Sequence, residues 1–387
     1  MYTNMIIDIK KIKHNTRLLC DLCHKKGISV AAVTKLYCAD RNIVEALCEE
    51  PIDYLADSRI GNIGYYPKTT KKKMLLRAPM PDEVEYVIRF CDVSLNSEIT
   101  TIRQLASEAA SQQKKHGIIL MIDMGDLREG IYYDNLGMIL HTAQYIVDQE
   151  WLNLEGLGLN LTCYGSIIPT ADSMNSLYGL VQILENQLNV KLPIVSGGNS
   201  SSLHLVLDDM MPHGITNLRL GEAIARGEET AYQKSIPGLE QNAIILEAGL
   251  VELQDKPSYP EGEIGLNAFG EKPSFEDKGR RLRGIVALGR QDTDHYGLTC
   301  LDSGIEIIGA SSDHLIVDLT EANNHYKVGD LLQFSMNYSA ILRGFTSEYV
   351  TREYIGADKP IPPDPRGAID FKDFQVTGSL PLSKPPK

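Results

Sequence analysis

The sequence predicts an α/β fold, a (β/α)8 barrel followed by an all-β domain, on three observations. From about residue 8 to 235, short apolar runs alternate with longer amphipathic segments, the signature of repeated βα units. The apolar runs fall at 28–34, 53–56, 73–77, 92–95, 117–123, 154–159, 192–196 and 216–220, and eight is the number that closes such a barrel. After Pro237 the texture changes to β-branched and aliphatic segments separated by Gly, Pro, Asp and Asn, with no long helical period. An open doubly wound sheet is the alternative for the first part; eight units in roughly 210 residues favour the barrel.

Each element has its own reason. The run Ile28-Ser29-Val30-Ala31-Ala32-Val33-Thr34 reads as a strand buried on both faces, and it stops on Lys35. Helical patterns fill the gaps between runs, as in Arg41–Glu50, Ser97–Lys114, Tyr133–Gln149 and Ser173–Asn189, with apolar residues at three- and four-residue spacing. Ile244–Leu253, Arg283–Leu288, Glu306–Ile308 and Leu315–Leu319 read as strands of the second domain. The expected organisation is a barrel over 8–236 and a β-domain over 237–355, with 1–7 a candidate extra strand. A proline-rich arm over 356–387 follows.

A net charge of −13 and the lack of any Lys/Arg-rich block disfavour nucleic acid or an anionic membrane as partner. No basic leader followed by a long apolar segment opens the chain, and no apolar run approaches the length of a membrane span. Seven scattered cysteines fit reduced thiols in a cytoplasmic protein. Cys20 and Cys23, with His24 beside them, have the spacing of a metal half-site, but they lie in a helical pattern with no second pair nearby. Core-facing thiols are the plainer reading.

In a parallel barrel, functional groups come from the carboxyl ends of strands. Those positions hold Lys35, Asp57-Ser58-Arg59, Asn96, Asp126-Leu127-Arg128, Asn160, Gly197-Gly198-Asn199-Ser200-Ser201 and Arg219-Leu220-Gly221-Glu222. An amine at a strand end suits Schiff-base chemistry when it is desolvated, although most such lysines only reach for water. The small-residue loop at Ser196–Ser202 is either a phosphate cradle or a flexible turn. Arg219, on an apolar strand, needs a buried partner, either a ligand atom or Glu222. Arg128 is either a clamp for a substrate carboxylate or a solvated group paired with Asp126 or Glu129. Together, a strand-end lysine, a buried arginine and a phosphate loop point to pyridoxal phosphate.

The order Ile7-Asp8-Ile9-Lys10-Lys11-Ile12, Val33-Thr34-Lys35, Asn199-Ser200 and Leu218-Arg219-Leu220-Gly221-Glu222 resembles the alanine racemase family of fold-type III pyridoxal phosphate enzymes. Asp313-His314-Leu315-Ile316-Val317-Asp318 and Met336-Asn337-Tyr338 resemble that family's β-domain. Ala56–Ile60, Met124–Gly130, Ser196–Ser200 and Leu288–Asp292 resemble its ornithine racemase branch. The resemblance implies an amino-acid racemase that binds pyridoxal 5'-phosphate covalently through Lys35, which also serves as base on one face of the substrate. Ser200, with backbone of Gly221 and Glu222, would hold the phosphate, Arg219 the pyridine nitrogen, and Arg128 the substrate carboxylate. Asn160 falls where alanine racemases place a ring-stacking histidine.

The resemblance also implies a homodimer whose sites are closed by the partner's β-domain. Family members draw a tyrosine from that domain as second base, and Phe269 stands at the matching position here. Phenylalanine cannot move a proton, so Ser311, Ser312 and Cys300 are the candidates to replace it, with Ser311 in the leading place. A basic substrate such as ornithine needs an acidic contact, for which Asp57, Asp292, Asp294 and Asp313 are candidates. Two other functions fit the same barrel. One is a lyase of the D-threonine aldolase type, with metal ligands from Asp292, Asp294 and His295; the other is a non-catalytic pyridoxal phosphate carrier.

Overall fold

The computed structural model describes residues 3–362; the part of the proline-rich arm beyond them lies outside the described residues. In chain order the first strands are β1 (Thr3–Asp8), β2 (Ser29–Val33), β3 (Tyr54–Asp57), β4 (Lys72–Leu75) and β5 (Val93–Asn96). They are followed by β6 (His116–Asp123), the short β7 (Ile131–Tyr132), β8 (Leu152–Gly158), β9 (Ile194–Ser196) and β10 (Asn217–Leu220). The eight strands expected from the apolar runs pair in parallel in the order β5-β4-β3-β2-β10-β9-β8-β6. A further β5–β6 pairing joins the two ends, so the sheet is closed and the barrel is correct. Strand alternation sorts the apolar residues into two layers. Ala31, Val33, Ala56, Met74, Leu95, Ile119 and Met121 form one buried cluster, while Val30, Ala32, Leu55, Ile118, Leu120 and Ile122 join the larger core under the helices. Gly156 is required by packing, because a Cβ there would stand 1.6 Å from the Ile194 carbonyl oxygen across the β8–β9 ladder.

A small hairpin, β11 (Glu228–Glu229) with β12 (Lys234–Ser235), leads out of the barrel. The remaining strands are β13 (Ile244–Pro257), β14 (Arg280–Val286), β15 (Leu298–Cys300), β16 (Glu306–Ala310), β17 (Leu315–Asp318), β18 (Leu331–Met336) and β19 (Thr351–Ile355). They form a second sheet in the order β15-β18-β13-β14-β17-β16. β1 completes it, antiparallel to β13 and parallel to β19, so the first strand of the chain belongs to the last sheet. Met5 and Ile7 are buried there. One helix, Tyr338–Thr346, packs onto the turn that follows β2, with Tyr37 meeting Phe345 edge-on at 5.9 Å. Asp40 fastens the same region: it caps the helix Arg41–Cys48 and binds Arg352 at 2.9 Å and the Tyr354 hydroxyl at 2.6 Å. No helix among the described residues is long and apolar enough to cross a membrane. Cys20 and Cys23 are fully buried core thiols, and burial raises the Cys23 pKa to about 12.

One buried group makes stability depend on pH. His116 lies at the start of β6, with Nε2 2.7 Å from the Ser94 hydroxyl, which itself accepts from Asn96 Nδ2 at 2.8 Å. The ring meets Ser94 as a neutral imidazole. Burial, reinforced by the charge of Lys114, lowers its pKa from 6.5 to about 4. The unfolded chain thus binds a proton that the folded chain refuses between these values. Stability from this group is complete above about pH 6.5 and falls as pH drops towards 4, by about 3 kcal/mol in all. Urea unfolding of wild type and His116→Asn between pH 4 and 7 should show the slope in wild type and its flattening in the variant.

Candidate active site

The carboxyl ends of the barrel strands surround a cavity of about 780 Å³. Of the residues singled out in the sequence, Lys35, Arg128, Asn160, Ser200, Arg219, Gly221 and Glu222 all border it. Lys35 opens a single helical turn directly after β2, and two successive left-handed residues, Cys38 (φ 49°) and Ala39 (φ 53°), close that turn. Such backbone is costly without glycine and persists where neighbours over-determine it. Here the neighbours are explicit. Thr34 bonds Asp57 and the Tyr66 hydroxyl, both at 2.7 Å, and the Tyr37 hydroxyl donates to the Gly221 carbonyl at 3.1 Å. The Lys35 amine itself makes no hydrogen bond or ion pair with any described residue; the Tyr338 ring lies 5.8 Å away.

Arg219 projects from β10, the neighbour of β2. Its guanidinium donates to Ser196, to the Leu159 carbonyl at 2.8 Å and to Asn160 Oδ1 at 3.3 Å. Nε–H and one Nη1–H have no bond to any described residue. Burial, the largest effect, pulls its pKa down from 12.5 to about 10, so the group remains charged at neutral pH. Glu222 does not pair with Arg219. It binds Arg226 at 2.8 Å, and burial raises its pKa. Asn160 Oδ1 accepts from both Arg219 and Asn199, while its amide nitrogen donates to Cys163 Sγ at 3.2 Å, so the amide orientation is fixed.

The small-residue loop is ordered. Asn199 caps the turn Ser200–Ser202 and ties it to Leu161 across the strand tips, and Ser200 Oγ accepts the Ala223 N–H at 3.2 Å. That leaves the Ser200 proton free to donate. Gly221 lies so close to Val33 that a Cβ would meet Val33 Cβ and O at 3.0 Å, which brings the β10 loop against the strand bearing Lys35.

Arg128 sits in the loop after β6 and forks onto the adjacent Glu129 through Nε and Nη2. Asp126 has a different task from the pairing considered for it. Fully buried, it accepts the N–H groups of Thr162, Tyr164 and Ile167 at 3.1, 3.0 and 3.4 Å, and so sews the loop after β8 to the loop after β6. Gly130 is needed there, since φ is +131° and a Cβ would fall 2.3 Å from the Asp123 nitrogen. Glu129, Cys163, Asn199 and Tyr338 border the cavity as well. Tyr338 is placed by the Asn337 cap of its helix.

Ser311 and Asp313 do not border this cavity. They occupy the exposed turn between β16 and β17, where the Ser311 hydroxyl accepts the His314 N–H and Asp313 binds Ser312 and His314. Phe269 is also outside the cavity, half-exposed, with the Arg290 guanidinium 4.0 Å over its ring. Asp292 accepts the Gly289 N–H at 2.7 Å and Asp294 the Ser339 hydroxyl at 2.6 Å. Among the described residues no group of three His, Cys, Asp or Glu side chains is placed to hold a metal ion.

A family described as alanine racemase, N-terminal domain, matches residues 7–227. The chain belongs to the alanine racemase family. It is 46% identical to ornithine racemase of Acetoanaerobium sticklandii over 92% of its own length and 100% of that protein. It is 36% identical to lysine racemase of Thermotoga maritima over 92% and 99%. Membership places it among the amino-acid racemases. Alanine racemase of Streptomyces lavendulae superposes with a TM-score of 0.71 at 15% identity, covering 92% of this chain and 98% of that one. Alanine racemase of Bartonella henselae, solved with covalently bound pyridoxal phosphate, gives 0.69 at 16% over 92% and 100%. At that identity the two structures support the fold alone, which is the barrel with its β-domain.

Proposed function

We propose that this alanine racemase family member is a pyridoxal 5'-phosphate-dependent racemase acting on ornithine, as a cytoplasmic homodimer. The observation that carries the proposal is that an unpaired lysine amine and a buried, still charged arginine, on neighbouring strands β2 and β10, border one cavity with the Ser200 hydroxyl. The residues fit the cofactor. Among the described residues Lys35 has no competing partner, two Arg219 N–H groups are unused, and the Ser200 proton is free. Ornithine is taken from a relative that is 46% identical and matched along its whole length.

In this reading, pyridoxal phosphate, when bound, spreads the electron pair left at Cα after proton loss. Lys35 holds the cofactor, and its amine removes or returns the Cα proton on one face. Arg219 would donate to the ring nitrogen while keeping its own proton, which would leave that nitrogen neutral and favour proton exchange over elimination. Ser200, with the backbone of Gly221 and Glu222, would bind the phosphate. Asn160, fixed by Arg219 and Asn199, would help to hold the cofactor, and Arg128 would turn from Glu129 to bind the substrate carboxylate. Ser311 and Asp313, on an exposed turn, would reach the site from a second copy, Ser311 as proton donor to the opposite face and Asp313 as a substrate contact.

Incubation with pure L-ornithine in deuterated water should give racemate labelled at Cα, and a panel of D- and L-amino acids should rank ornithine first. Retention of the α-proton would remove the racemase reading. A protein that is monomeric and fully active in dilute solution would remove the shared site.

A further inference from the structure

We infer that Glu129 selects the substrate, by receiving the side-chain ammonium of a diamino acid; this rests on the racemase reading above. The cavity is bordered by four cations, Lys35, Arg77, Arg128 and Arg219, and by two carboxylates, Glu129 and Glu222. Glu222 is committed to Arg226, which also binds Glu228 at 2.6 Å. Among the described residues Glu129 is bound only to Arg128, the group that the carboxylate of a substrate would engage. When a substrate carboxylate takes the Arg128 fork, Glu129 loses its partner.

What replaces that partner decides which substrate binds. The Glu129 side chain is 35% exposed, so a carboxylate left alone there is only partly hydrated and its stranding is unfavourable. A substrate with a second ammonium supplies the missing cation: two ion pairs stand where one stood, and no charge is left over. A substrate with an apolar side chain breaks the Arg128–Glu129 pair and gives Glu129 nothing in return. One residue thus attracts the diamino acid and rejects its apolar isostere.

Asn96 adds an independent observation. It ends β5, the strand paired with β6 from whose tip the Arg128–Glu129 loop departs, and it borders the same cavity. It is 1% exposed, its Nδ2 is held by Ser94, and its Oδ1 has no hydrogen-bond partner among the described residues. A buried carbonyl without a donor is rare, and an ammonium carries three donors, enough for Glu129 and Asn96 together. Asp57, considered for this contact from sequence, is instead fully buried and occupied by Thr34, Asn62 and the Arg59 N–H.

The test compares kcat/KM for L-ornithine and L-norleucine, whose side chain carries a methyl group in place of the ammonium, in wild type, Glu129→Gln and Glu129→Asp. Wild type should favour ornithine. Glu129→Gln should reduce that preference by about tenfold or more, and Glu129→Asp, which keeps the charge, should retain most of it. An unchanged ratio in Glu129→Gln overturns the assignment and leaves the racemase standing; so does equal loss on both substrates in both variants. A wild-type enzyme that racemises norleucine as well as ornithine removes the diamino-acid substrate class itself, and this assignment with it.

Discussion

Lys35→Ala should reduce racemisation by on the order of 10⁴-fold, because one substitution removes both the covalent attachment and the base on one face. The argument rests on the absence of a competing role. The amine carries no ion pair or hydrogen bond within the described structure, and its turn is fixed through backbone and through Thr34, Tyr37 and Asp40, none of which depends on the lysine side chain. The variant should therefore fold as wild type does, with its melting temperature nearly unchanged. Borohydride reduction of the cofactor-loaded wild type followed by peptide mass mapping should place the added mass on the peptide containing Lys35, and the variant should show none. Mass on a different lysine, or substantial turnover in the variant, would refute the role. The substitution leaves Ser200 and the Gly221–Glu222 backbone, the proposed phosphate site, in place, so weak cofactor binding should survive it.

How much of this was legible beforehand depends on the physics of each element. Parallel strands buried on both faces are continuous apolar runs, so all eight barrel strands were found, each within about two residues. The second sheet is half exposed and its strands are short, so β15, β18 and β19 were not identified. β18 does alternate, with Leu332, Phe334 and Met336 buried and Leu331 and Gln333 exposed, over six residues only. The barrel topology also explains the site. It puts every strand end at one mouth, so reading strand ends recovered Lys35, Arg128, Asn160, Ser200, Arg219, Gly221 and Glu222. Partnerships were less accessible. Asp126 binds backbone nearly forty residues away through loop conformations with no local sequence signal, whereas the Glu222–Arg226 pair has the four-residue spacing of a helix face and is legible once Glu222 is placed on a helix. Glu129 was visible only as a neutraliser of Arg128; its value as a cavity carboxylate emerges once Glu222 and Asp57 are seen to be occupied. Ser311 and Asp313 belong to a surface that one chain does not bring to its own cavity.

Arg219→Met should separate folding from function. In the native protein the guanidinium is fully charged in a site that opposes charge, as its pKa near 10 shows, and the drop from 12.5 corresponds to about 3 kcal/mol against folding. Below about pH 10 the arginine is protonated in both folded and unfolded chains, so this cost does not vary across neutral pH. Methionine removes it, and in exchange Ser196 Oγ and the Leu159 carbonyl lose a donor, at roughly 1–3 kcal/mol each. Asn160 Oδ1 keeps Asn199. These terms nearly cancel, so cofactor-free variant and wild type should unfold within a few degrees of each other. The effect on function should be large: loss of a charge-assisted hydrogen bond to the ring nitrogen weakens pyridoxal phosphate binding by roughly 10–100-fold, with a comparable further loss in kcat. Melting of the cofactor-free proteins beside fluorescence titration with pyridoxal phosphate tests both halves. A variant that unfolds far below wild type without cofactor, yet binds it equally well once folded, would show Arg219 to be a structural residue. If both halves hold, a buried charge that the fold could lose at so little cost is one retained for the group it holds.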